Sequence, residues 1–118
     1  MAVTENYLDY VIDLLDEAGP VEARRMFGGA GLYLNGLFFG LIADDALYFK
    51  VDESNRGDYE KAGMDPFSPL GTYSMGYYRV PVGVMEDSRK LKEWAQKSLS
   101  VAARKGAAAK KKKKTKKA

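Results

Sequence analysis

Residues 31–51 read GLYLNGLFFGLIADDALYFKV, and this stretch decides the fold. Gly31–Leu34 and Leu37–Ala43 flank Asn35-Gly36, the pair best suited to a type I′ hairpin because both positions need positive φ. Asp44-Asp45 makes a second turn into the segment from Ala46 to Val51. There Leu47, Phe49 and Val51 share one face, and Tyr48 and Lys50 share the other. The stretch is a three-stranded meander. Its middle strand is apolar on both faces, which suits a central position.

Helical periodicity takes over on either side. Before the meander, Thr4 is the expected N-cap, and Leu8, Val11, Ile12 and Leu15 follow at i, i+3, i+4 and i+7. Gly19 then Pro20 ends that helix, with Gly19 expected in the left-handed position. After the meander, a short helix is expected from about Glu53 to Ala62, ended by Gly63. An extended piece around Phe67 and a strand over Thr72–Val80 come next. In that strand Tyr73, Met75, Tyr77 and Arg79 lie on one side and Tyr78 on the other. A last helix starts near Glu86 and carries Leu91, Trp94, Ala95, Leu99 and Ala102 as its stripe.

The sequence therefore predicts an α+β domain over residues 1–105. Its order is α-β-β-β-α-β-β-α, a mainly antiparallel five-stranded sheet and helices in two layers. Leu8, Ile12, Leu15, Leu41, Phe49, Leu91, Trp94 and Leu99 are its expected core. At 118 residues, with 46% hydrophobic and 30% charged, there is room for one domain.

Composition removes several functions. There is no cysteine and no histidine, so disulfides, thiolate nucleophiles, Ser-His dyads and imidazole metal ligands are all excluded. No serine is followed by lysine three residues on. No catalytic residue, metal site or cofactor is expected. No apolar run is long enough to span a membrane, and the N-terminus resembles no secretory signal. A cytoplasmic location is the expectation.

Charge is divided unevenly. Arg104, Lys105, Lys110–Lys114, Lys116 and Lys117 put nine positive charges into residues 104–118 without one acid. Ten basic against sixteen acidic residues leave residues 1–103 at −6. Residues 106–118 hold no apolar side chain larger than alanine, so a disordered lysine-rich tail is expected. Lys110, Lys111, Lys112, Lys113, Lys114, Lys116 and Lys117 are candidate contacts to DNA or RNA phosphates. The alternative is a tail that only solubilises.

Inside the domain, Gly28-Gly29-Ala30-Gly31 lacks the spacing of a phosphate loop and leads into a strand, so the glycines serve backbone approach or a bulge. Asp44-Asp45 reads as a turn rather than a carboxylate pair. Arg25, Lys50 and Arg79 form a candidate anion site if the fold brings them together; otherwise they lie along the sheet and pair with acids. Tyr73, Tyr77 and Tyr78 near Arg79 are candidates for stacking on bases.

Three blocks, RRMFGGAGLY (24–33), LIADDALYFK (41–50) and MGYYRVP (75–81), with the Trp94-Ala95 helix, make residues 5–103 resemble the TfoX N-terminal domain family. The resemblance implies a compact α+β domain similar to secretion chaperone-like folds, and a regulator related to natural DNA competence, acting through transcription factors. It carries no catalytic residues. Longer members have a C-terminal helical domain where this sequence has its lysine-rich tail. A non-enzymatic regulatory or adaptor protein, monomer or homodimer, with an unknown protein partner, is the resulting expectation.

Overall fold

The computed structural model describes residues 5–26, 29–67 and 76–117, with side chains as far as Arg104. Helix α1 (Glu5–Leu15) continues into one 3-10 turn (Asp16–Ala18). Strands β1 (Val21–Met26), β2 (Gly29–Leu34), β3 (Leu37–Ala43) and β4 (Ala46–Lys50) follow, then α2 (Arg56–Lys61), β5 (Tyr77–Arg79), α3 (Val82–Met85) and α4 (Ser88–Lys117). The strands form one sheet in the order β1-β2-β3-β4-β5, with every neighbouring pair antiparallel. The expected α+β architecture with a five-stranded antiparallel sheet is what the chain adopts.

Turn chemistry explains the meander. Asn35 and Gly36 have φ of 51° and 79°, and Asp44 and Asp45 have φ of 51° and 52°. Both hairpins therefore close through two residues of positive φ, whose twist matches the flanking strands. Gly19, at φ 138° and ψ −178°, lies outside the left-handed helical region expected for it. It occupies an extended mirror region that essentially only glycine reaches, and its N–H still donates to Asp16 O at 3.1 Å.

Some elements differ from the expectation in detail. Val21–Met26, read from the sequence as a lead-in to the first strand, is itself the edge strand. Its alternation is short: Val21 and Ala23 stand opposite Leu34 and Leu32, with Glu22 between them and Arg24 and Arg25 following. Around Phe67 the pairing is one bridge, Pro66 to Tyr78, with Phe67 N donating to Tyr77 O at 2.7 Å. Thr4 and the Thr72–Met75 part of the expected long strand lie outside the described residues. The last helical region begins earlier than expected, because Val82–Met85 forms the separate turn α3. Asp87 then caps α4, its Oδ1 accepting from the backbone N–H of Arg89 and Lys90, both at 3.2 Å.

The core lies between the sheet and the helices. Val11 and Leu15 of α1, Tyr59 of α2, Val84 and Met85 of α3, and Leu91 and Ala95 of α4 cover Leu32, Phe39, Ile42, Leu47 and Phe49. Each fully buried Leu, Ile or Phe contributes roughly 1.5–3 kcal/mol of transfer free energy. Of the expected core, Leu15, Phe49 and Leu91 are buried, while Leu8, Ile12, Trp94 and Leu99 pack against it partly exposed. Leu41 is the exception. It pairs with Tyr48 and Gly31 on the opposite face, and Ile42 takes the inward position.

A register shift between Leu32 and Tyr33 sets that phase. Leu32 opposes Gly40 and Tyr33 opposes Phe38, so Phe39 is the extra residue of a bulge in β3. The bulge lets Phe39 point inward, 5.7 Å from Phe49 between ring centroids, while Phe38 points outward.

Candidate functional site

The described helices pack on one face of the sheet, and the chemistry-bearing side chains gather on the other. The Asn35-Gly36 hairpin pairs Tyr33 with Phe38, and β4–β5 pairing puts Lys50 beside Tyr77. Tyr33 and Phe38 stack with centroids 5.0 Å apart and planes at 21°. Phe38 lies 5.8 Å from Tyr77. Cations sit over these rings: the Arg24 guanidinium 4.8 Å from the Tyr33 centroid, and Lys50 Nζ 5.2 Å from Phe38 and 5.7 Å from Tyr77. Arg24, Tyr33, Phe38, Lys50 and Tyr77 thus form a row that takes one side chain from each of the five strands. Beside it Tyr48 packs on Phe67 at 4.8 Å.

Burial tunes the row. Tyr33, Phe38, Tyr48 and Phe67 are half-buried, while Tyr77 is buried. Burial, and then the neighbouring Tyr33, push the Tyr77 phenol up to about 12. It stays neutral throughout the physiological range.

The three expected anion-binding cations do not share one place. Arg25 belongs to the edge strand β1 opposite Ala30, on the helix side, and reaches Glu5 of α1 at 3.9 Å. Lys50 is on β4, beyond two intervening strands and on the outer face. Arg79 stands opposite Tyr48 on β5. It lines a pocket of about 200 Å³ with Tyr7, Tyr10, Asp45, Val82 and Met85 at the end of the sheet. Burial raises the Tyr7 phenol there, and the Arg79 charge lowers it in part. Tyr77 joins the outer row, Tyr78 turns inward to Tyr59 at 5.7 Å, and Tyr73 is outside the described residues.

On the helix side, polar side chains lock α4 to the end of β4. Ser98 Oγ donates to Lys50 O at 2.8 Å, and Asn55 Nδ2 donates to the same oxygen at 3.1 Å. Arg104 reaches Asp52 Oδ2 at 3.0 Å and Ser54 Oγ at 2.8 Å, while Lys97 pairs with Asp58 at 2.7 Å. The Ser54 hydroxyl first, and Arg104 with it, hold the Asp52 carboxyl down at about 2. Among the described residues the buried Tyr59 hydroxyl has no hydrogen-bond partner. Burial pushes its phenol up, with the Ser98 hydroxyl pulling the other way.

α4 itself runs for 30 residues to Lys117, so no helix end marks the boundary expected near residue 105. Among the described residues no three Asp or Glu side chains form a group able to hold a metal ion. Among those residues no helix is long and apolar enough to cross a membrane.

The sequence did not single out Tyr33 and Phe38 of this row, nor Tyr48 and Phe67 beside it. One signal was available: a two-residue Asn-Gly loop fixes the Tyr33–Phe38 pairing by counting outward from the turn. Fold and surface together define a two-layer α+β meander domain with an aromatic, cation-bearing sheet face. Residues 13–102 match the TfoX N-terminal domain model, and the chain belongs to that family. No curated protein matches it significantly.

Proposed function

We propose that this chain is a small non-enzymatic regulatory or adaptor protein whose lysine-rich segment engages nucleic acid through its phosphates. Membership of the TfoX N-terminal domain family supports a competence-related regulatory role. The step from that role to nucleic acid rests on one observation, the separation of charge. Residues 1–103 carry −6, and residues 104–118 carry nine positive charges and no acid. An acidic domain repels a polyanion, so attraction is confined to the basic segment. Lysines neutralise phosphates and read no base edges, so binding is indifferent to sequence. The acidic domain is left for a protein partner.

Fluorescence anisotropy of the full chain on two unrelated duplexes tests this. With up to seven phosphates neutralised by Lys110–Lys114, Lys116 and Lys117, log affinity falls with log salt at a slope of roughly −5 to −6. Both duplexes bind alike. Replacing the seven lysines by glutamine nearly abolishes binding. Unchanged binding by that variant, or none by the parent at low salt, refutes the proposal.

A further inference from the structure

The two edges of the sheet are finished differently. At β5 the preceding segment covers the edge: Phe67 N–H donates to Tyr77 O at 2.7 Å, Arg79 N–H donates to Asp65 O at 3.2 Å, and Pro66 bridges Tyr78. At β1 no such cover exists among the described residues, and Glu22, Ala23, Arg24 and Arg25 are all exposed. The direction of its backbone groups follows from the neighbouring hairpin. The two-residue loop Asn35-Gly36 makes Leu34 and Leu37 a hydrogen-bonded pair, so Leu32 and Leu34 bond β3 while Gly31 and Tyr33 bond β1. Their partners Arg24 and Glu22 turn their backbone groups to β2, and Val21, Ala23 and Arg25 direct N–H and C=O out of the sheet. The strand has no glycine, proline or register shift to blunt it.

We propose that this edge pairs with the same edge of a second copy of the chain, antiparallel about a twofold axis at Ala23, so that one sheet runs through both copies. Charge selects both the occupant and the register. Residues directly opposite each other in an antiparallel pair share a face. With the axis at Ala23, Glu22 faces Arg24 of the other copy and Arg24 faces the other copy's Glu22, both on the outer face. Moving the axis one residue, to Glu22 or to Arg24, sets two glutamates or two arginines against each other, which is unfavourable. Within one copy Arg24 and Glu22 lie 3.9 Å apart with side chains 67% and 74% exposed, a pair that contributes little by itself. The second copy closes it into a ring of alternating charges, each cation between two acids. The same register gives every outward backbone group a partner, since Ala23 meets Ala23 and Val21 meets Arg25 across the axis. On the helix side Arg25 thereby arrives opposite Val21 of the other copy, just after the turn that carries Asp16 and Glu17. The patch is its own complement, as a twofold interface requires.

Analytical ultracentrifugation of the full chain over a concentration series tests this, with Glu22→Lys and Arg24→Glu as variants. Both side chains are exposed and outside the core, so each variant keeps the fold. The parent dimerises. Either swap alone sets like charges opposite each other and raises the dimer dissociation constant roughly tenfold or more. Mixed in equal amounts, the two swapped chains pair with each other, because every opposed position then carries opposite charges, and affinity returns to within about threefold of the parent's. Ala23→Pro removes the N–H at the axis and no bond to β2, and it abolishes the dimer. A parent that stays monomeric up to millimolar concentration overturns the proposal. So do single swaps that dimerise as the parent does, and a mixture no tighter than its components. Duplex binding by the same preparations reports on the lysine segment separately: a monomeric parent that binds duplex sinks the edge pairing and leaves the nucleic-acid reading standing.

Discussion

Replacing Gly29 by alanine tests how closely β2 and β3 approach. A Cβ on Gly29 stands 2.3 Å from Ile42 O, against about 3.3 Å for a close carbon–oxygen contact. The obstacle is backbone, held in the ladder by the pairing of Ala30 with Ile42, so no side chain can swing away. The start of β2 has to lift by about 1 Å. Overpacking of this kind costs typically 1–3 kcal/mol, and each weakened ladder bond adds about 1 kcal/mol. We expect a loss of about 3 kcal/mol, a large share of a small domain's stability. Urea unfolding followed by circular dichroism reads it directly: with an m-value of about 2 kcal/mol/M, the midpoint falls by about 1.5 M. Gly57→Ala is the matched control, since nothing lies within 4 Å of its added Cβ and Gly57 sits exposed in α2. Helix propensity makes that change neutral to stabilising, by up to about 1 kcal/mol. A Gly29→Ala midpoint within 0.5 M of the parent, roughly 1 kcal/mol, refutes the close-approach argument.

Tyr59→Phe removes a buried hydroxyl that has no hydrogen-bond partner among the described residues and is expected to leave stability unchanged or raise it by up to about 1 kcal/mol. A loss above 1.5 kcal/mol in the same urea assay means that the hydroxyl is bonded after all. Asp52 gives a pH signature: its carboxyl is held at about 2 in the folded chain, below its value of about 3.9 when unfolded. Its contribution is thus fully present above about pH 4 and is lost as pH falls towards 2. Ser54→Ala, which removes the main cause, flattens the acid limb of stability between pH 4.5 and 2.5; an unaltered limb disproves the assignment.

The parts of the fold readable from sequence are those governed by local rules. Asn35-Gly36 and Asp44-Asp45 announced their turns because positive φ is demanding and few residues tolerate it. Leu47 and Phe49 were assigned inward by simple alternation. Leu41 was misassigned because the Phe39 bulge resets that alternation one residue earlier, and nothing in an all-apolar strand marks the reset. Arg25 and Lys50 were read together as candidates for one anion site. Only the register separates them, one paired with Glu5 across the edge and the other seated on Phe38. Val21–Met26 went unread as a strand because none of Val21–Arg25 is buried and Glu22, Arg24 and Arg25 break its apolar pattern. The row was half visible: Lys50 and Tyr77 were each noted in the sequence, whereas Tyr33 and Tyr77 come to flank Phe38 only once the strands are ordered.

That ordering has a consequence for how the chain reaches its native state. Each strand pairs with the one before it, so the sheet assembles by zipping from neighbour to neighbour, with two-residue loops closing both central hairpins. Such local topology speeds folding, since little loop entropy is lost before contacts form. The surface that covers the sheet comes later: α4, which supplies Leu91, Ala95 and the Ser98 bond to Lys50, follows every strand in the chain. Until it docks, the part of the Leu32, Ile42, Leu47 and Phe49 face that Leu91 and Ala95 cover stays open. The early meander is therefore the species most exposed to self-association. Docking of α4 is the step that ends that exposure, and weakening its Ser98 anchor should show first as aggregation during refolding.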